Sequence, residues 1–126
     1  MEIFTKINKE KNLRQHCIKG LIDVPKLIDF LKGIHTAPDF DLEMKVLCDL
    51  RDADLTSVSS SDIKLISDNV GSKWGKDGKN KAALVATRNL DYGLSRMYQM
   101  MLGGITQSKV TVFKDIDKAQ AWIEAD

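Results

Sequence analysis

The chain of 126 residues has little of what specialised chemistry needs: two histidines, two cysteines, two prolines, and aromatic residues at 6%. Cys17 and Cys48 have no CxxC spacing, so they exclude a disulfide framework and read as reduced, buried thiols in strands. No His or Cys pair stands at ligand spacing, so neither a metal nor any other cofactor is expected. A serine nucleophile would need a base beside it. The chain has no GxSxG elbow, and its only histidines are His16 and His35, which nothing in the spacing brings to a serine. Charge of one sign is missing too: 19 Lys and Arg against 18 Asp and Glu leave +1. That balance sets up no global field for nucleic acid or an acidic membrane, and no nucleic-acid partner is expected. No apolar run approaches the roughly 20 residues of a membrane span. Residues 1–12, MEIFTKINKEKN, lack the apolar core of a secretory signal. A cytoplasmic protein without stable membrane insertion is expected. With no internal repeat, linker or low-complexity tract, residues 1–126 read as a single domain, long enough to bury a core without staples.

What is present is periodicity. EIFTKIN (2–8) and LRQHCIKG (13–20) mix β-branched and polar residues in near alternation around a short polar KEKN, which predicts a β-hairpin. Asp23 is placed to cap a helix with Pro25 in its first turn, and Leu27, Phe30, Leu31 and Ile34 form its apolar stripe. HTAPDFDLE (35–43) reads as a loop. MKVLCDL (44–50) and AALVATR (82–88) are nearly continuous apolar runs, as in strands buried on both faces. Between them Ile63, Ile66, Val70 and Trp74 stripe a second helix that ends at the glycines of GSKWGKDG. Leu94, Met97, Tyr98 and Met101 stripe a third, which stops at Gly103 and Gly104. KVTVFKD (109–115) is a fifth strand, and a last helix follows an Asp115 cap with Ile116, Ala119 and Ile123 inward. The order β-β-α-β-α-β-α-β-α predicts an α/β fold. It has a mixed five-stranded sheet, four helices, and parallel later strands.

That order, together with VLCDLRDADLT at a strand end, AALVAT, YGLSRMYQMM and the closing VTVFKDIDKAQAWI, resembles the SpoIIAA-like family of small bacterial proteins. This family is related in fold to STAS and CRAL-TRIO domains, and the resemblance spans residues 2–125. In STAS-type anti-sigma-factor antagonists the matching strand leads into an Asp-Ser-Ser-Gly-like motif whose serine phosphorylation controls partner binding. Ser60 and Ser61 fall on the serine pair, with Val58 where the motif has its acid and Asp62 where it has its glycine. The resemblance thus implies a possible phospho-acceptor at Ser60 or Ser61 in an antagonist of a kinase-like partner. The CRAL-TRIO kinship implies a carrier of a small amphipathic or lipid-like ligand.

The serines also have a plainer role. A helix start leaves N–H groups unpaired, and one of Ser59, Ser60 and Ser61 would cap the second helix, with Asp62 favoured in its first turn. Asp52, Asp54 and Asp62 would repel an anion docking there. Asp49, Asp52 and Asp54 cluster at a strand end where a hard cation could sit, but Arg51 is at hand and a solvated loop is the simpler reading. Lys73, Lys76, Lys79 and Lys81 around Trp74 make a basic loop that lacks phosphate-loop spacing. The third helix carries more apolar surface than one stripe uses, since Met100 and Leu102 extend it, and methionine suits surfaces that repack around partners. Tyr92, Met97, Met100, Met101 and Leu102 are therefore the candidate contact residues for a protein partner, a second copy of the chain, or a small apolar ligand. The expected function is binding or regulation without catalysis.

Overall fold

In the computed structural model, which describes residues 1–125, the elements are β1 (Glu2–Asn8), β2 (Leu13–Leu21), α1 (Val24–Thr36), β3 (Lys45–Asp49), β4 (Ala53–Asp54), α2 (Ser60–Trp74), β5 (Lys81–Val85), α3 (Asn89–Gly103), β6 (Lys109–Phe113) and α4 (Ile116–Glu124). The sheet runs β1-β2-β3-β5-β6. Strands β1 and β2 are antiparallel, from Glu2 opposite Lys19 to Asn8 opposite Leu13. The pairs β2–β3, β3–β5 and β5–β6 are parallel. This is the mixed α/β order that the alternating apolar runs predict. Strand β4 is an addition. Its two residues pair with Gly20 and Leu21 at the end of β2, and Ala53 is completely buried. Two residues are too few for any periodicity to announce.

Local chemistry accounts for the element ends. The hairpin turns through Asn12 at φ 50°, a left-handed backbone that asparagine tolerates better than most residues. Asp23 caps α1 by accepting the Lys26 N–H at 3.2 Å, and Asp115 caps α4 by accepting from Asp117 and Lys118. At its C-terminus α2 stops at Gly75 with φ 76°, where a side chain would be strained.

The helices divide unequally. Helix α4 alone covers one face of the sheet, its Ala119 and Ile123 packing on Leu13, Leu47, Ala83 and Val85. The other face carries α1, α2 and α3. Its core joins Ile66, Val70, Trp74 and Leu102 to Leu84, Val110 and Val112, and continues through Ile18, Leu50, Ile63 and Leu94. Period-two alternation aims Arg14, His16 and Ile18 of β2 at this three-helix layer and Leu13, Gln15 and Cys17 at the opposite face. A guanidinium and an imidazole are thereby delivered beneath α1.

Candidate functional site

Between β2, β3 and the α1–α2–α3 layer lies a cavity of about 150 Å³. Its walls are the inward stripe of α1 (Leu27, Phe30, Leu31, Ile34), Val46 and Cys48 of β3, and Ile63, Ile66 and Tyr98 from α2 and α3. Phe40, Asp41, Leu42 and Met44 line it from the 37–44 loop, and since Asp41 and Leu42 are exposed, the cavity reaches the surface there. On α1 only Ile28 is buried. The stripe residues Leu27, Phe30, Leu31 and Ile34 are half-buried and line the cavity, Leu27 and Leu31 also touching the core.

Four polar side chains project into this apolar volume from buried positions. Arg14 is 5% exposed, yet no carboxylate lies within 4.0 Å of it and it makes no hydrogen bond among the described residues. Its guanidinium carbon lies over the Phe40 ring, 5.9 Å from the centroid. His16 bonds Thr5 Oγ1 through Nδ1 at 2.9 Å and meets the Phe30 ring edge-on at 5.3 Å. Burial, reinforced by the Arg14 charge, lowers its pKa to about 4. Asn80 has its Oδ1 taken by the Ser108 hydroxyl. Ser95 Oγ, on α3, is buried with no partner among the described residues. Nearer the mouth, His35 stacks edge-on with Phe40 at 5.1 Å, and its pKa is lowered by burial, then by Lys73 and Arg14. Burial also pushes the Cys48 thiol up to about 12 and raises the Tyr98 hydroxyl above its usual range. Deep in the cavity the Arg14 guanidinium thus stands among uncharged groups, and the one carboxylate on the wall, Asp41, is exposed at the mouth.

The sequence candidates lie elsewhere. Ser59 caps α2 reciprocally: its Oγ accepts the Asp62 N–H at 3.1 Å, and Asp62 Oδ2 accepts the Ser59 N–H at 2.9 Å. Ser60 and Ser61 occupy the first turn with exposed side chains, outside the cap. On α3, Met97 and Met101 are half-buried against the Ile18–Leu94 core, Tyr92 is half-buried with Lys114 over its ring at 4.9 Å, and Met100 is 67% exposed. Leu102 is completely buried, so its apolar surface belongs to the core. Asp49 is held bidentately by Arg51, with both contacts at 2.9 Å. Burial alone would raise its pKa, but those hydrogen bonds outweigh burial and keep the carboxyl below its usual range. Asp54 accepts from Thr56. Among the described residues no group of three or more His, Cys, Asp or Glu could hold a metal. Of the basic loop, Lys81 reaches back to α4 and donates to Ala125 O at 2.8 Å. Arg14 escaped notice in the sequence. The available signal was a charged residue at an inward position of β2, in the same alternating register as Ile18.

No helix is long and apolar enough to cross a membrane among the described residues. No protein-family model matches the chain, and no curated protein does either. Among solved structures, the chain is similar to an uncharacterised protein of the DUF3478 family with a SpoIIAA-like fold from Shewanella loihica PV-4. That likeness has a TM-score of 0.58 at 19% identity, covering 97% of this chain and 92% of that one. An antisigma-factor antagonist STAS domain from Rhodobacter sphaeroides aligns over 94% of this chain and 89% of that one, at 11% identity and a TM-score of 0.34. Strand order, helix placement and the first of these likenesses agree: the chain has a SpoIIAA-like fold.

Proposed function

We propose that the protein is a binding module that holds a small amphipathic molecule in the cavity under α1. The observation that carries this reading is the unfilled apolar volume of about 150 Å³ opening beneath the 37–44 loop. An apolar cavity of that size stays dry and accepts a benzene-sized guest in a well-studied engineered lysozyme. It is smaller than the roughly 300–1,000 Å³ of pockets for drug-sized ligands, which argues for a small guest or one whose remainder extends through the mouth. Chemistry on the guest has little support from the groups present. The Cys48 thiol, at about 12, is far from thiolate at neutral pH, and His16, at about 4, is a weak base.

Titrating the protein with toluene or p-cresol while following methyl NMR signals tests the reading. Saturable shifts confined to Leu27, Leu31, Ile34 and Val46 are expected, and Val46→Phe, which places a ring in the void, should abolish them. Shifts that fail to saturate, or that appear only at exposed methyls such as Met100, would overturn it.

A protein partner is the second reading, supported by the exposure of Met100 on α3. The surface would be made by Tyr92, Met97, Met100 and Met101, without the buried Leu102.

A further inference from the structure

Among the described residues the positive charge at Arg14 has no counterpart within 4.0 Å, and this narrows the class of guest. Moving a charged group out of water costs several kcal/mol unless an opposite charge and hydrogen bonds compensate, so buried arginines are normally paired. Arg14 is as buried as the core leucines around it. The groups that could neutralise it are otherwise engaged or carry no negative charge. His16 bonds Thr5. His35 packs on Phe40. The Asp41 carboxylate, also on the cavity wall, accepts the Glu43 N–H at 2.9 Å and lies more than 4.0 Å from the guanidinium. A contact with one Phe40 ring offsets only part of the desolvation. The guanidinium fork, with five N–H donors, is left facing a mostly apolar chamber in which, among the described residues, the buried Ser95 hydroxyl also has no partner.

We propose that the cavity takes a small apolar carboxylate, an aromatic or short branched-chain acid, whose carboxylate pairs with Arg14 and whose hydrocarbon body fills the space between α1 and β3. Arginine matches a carboxylate fork to fork through two parallel hydrogen bonds. Charge selects between anions. One carboxylate cancels one guanidinium, whereas a phosphate monoester brings about −1.5 to −2 and would leave buried negative charge uncompensated among neutral histidines. Volume selects the body, because a benzene-sized group fills about 150 Å³. The unpartnered Ser95 Oγ and the Tyr98 hydroxyl stand on the α3 wall, where they can meet a polar substituent of the ring or chain.

This proposal rests on the cavity reading above, and the test separates the two. Phenylacetate and 2-phenylethanol, which share a ring and differ in the charged end, are titrated into the full chain by calorimetry and methyl NMR. Phenylacetate should bind about 10- to 100-fold more tightly, the worth of charge-assisted hydrogen bonds. Arg14→Met should erase that preference while still binding the alcohol, and Arg14→Lys should retain part of it. If both compounds bind equally, the cavity reading stands and the carboxylate proposal falls. If neither shifts the methyls of Leu31 and Val46, both fall. The comparison on the unmodified chain decides the matter even if the Arg14 variants do not fold.

Discussion

Helices α1 and α3 pack on the same face of the sheet, and each carries an apolar stripe at helical spacing, but they finish in different surroundings. On α3, Leu94 and Leu102 are buried where the helix meets α2 and β6, and only Leu94, Ser95 and Tyr98 of this helix line the cavity. On α1, Leu27, Phe30, Leu31 and Ile34 are only half-buried and line a void. The difference comes from what each stripe faces. Beneath α3 are Val110 and Val112 of β6. Beneath α1 are Arg14 and His16 of β2, polar groups that an aliphatic helix face does not complement. An amphipathic helix buries itself only as completely as its opposing surface allows.

The largest effect that separates the two sides is in truncation. Leu102→Ala removes methyls from a closed core and should cost about 3–5 kcal/mol. Leu31→Ala enlarges a space that already exists and should cost about 1 kcal/mol, the transfer term of a half-buried side chain. Denaturant midpoints on both variants check this, and equal costs would mean that α1 is packed as tightly as α3.

Next comes pH. An unfolded histidine protonates near pH 6.5, whereas folded His16 is held at about 4 by burial and by Arg14. The unfolded state therefore binds more protons between those values. Stability is complete above about pH 6.5 and declines as the pH falls toward 4, by roughly 3 kcal/mol in all, with His35 acting in the same direction. Urea unfolding at pH 7 and pH 4.5 should show the decline in the parent and a much shallower one in His16→Gln. A parallel decline in both would remove His16 from the account.

A smaller effect is expected at Ser95. Its buried hydroxyl has no partner, so Ser95→Ala should stabilise the ligand-free protein by about 1 kcal/mol. No change would indicate a hydrated hydroxyl and hence a wet cavity. The smallest is at Met100, which is 67% exposed. Met100→Glu should move stability by no more than about 0.5 kcal/mol, and sedimentation of the same variant reports whether α3 mediates self-association. Unfolding would place Met100 in a packing role and erase the contrast between the exposed and closed sides of α3.

Much of this architecture was legible from spacing. Two hydrophobic periods, two for strands and about 3.6 for helices, are local properties of the chain, and they marked the hairpin, the buried β3 and β5, and all four helices. Capping is local too, and the SSSD run announced the start of α2, although which serine caps depended on one backbone geometry, the extended φ of −95° and ψ of 168° at Ser59. Strand β4 and the burial of Leu102 were not legible, because each arises from a neighbour distant in sequence: Gly20 and Leu21 for the one, the β6 side of the core for the other. The cavity is the clearest case. Arg14, Leu31, Phe40 and Ser95 come from four separate segments, and no local period connects them. Local sequence could decide which residues form strands and helices, because those hydrogen bonds and side-chain periods span only a few residues. Whether facing surfaces close on each other or leave a charged, half-empty chamber was decided only when the sheet brought β2 beneath α1.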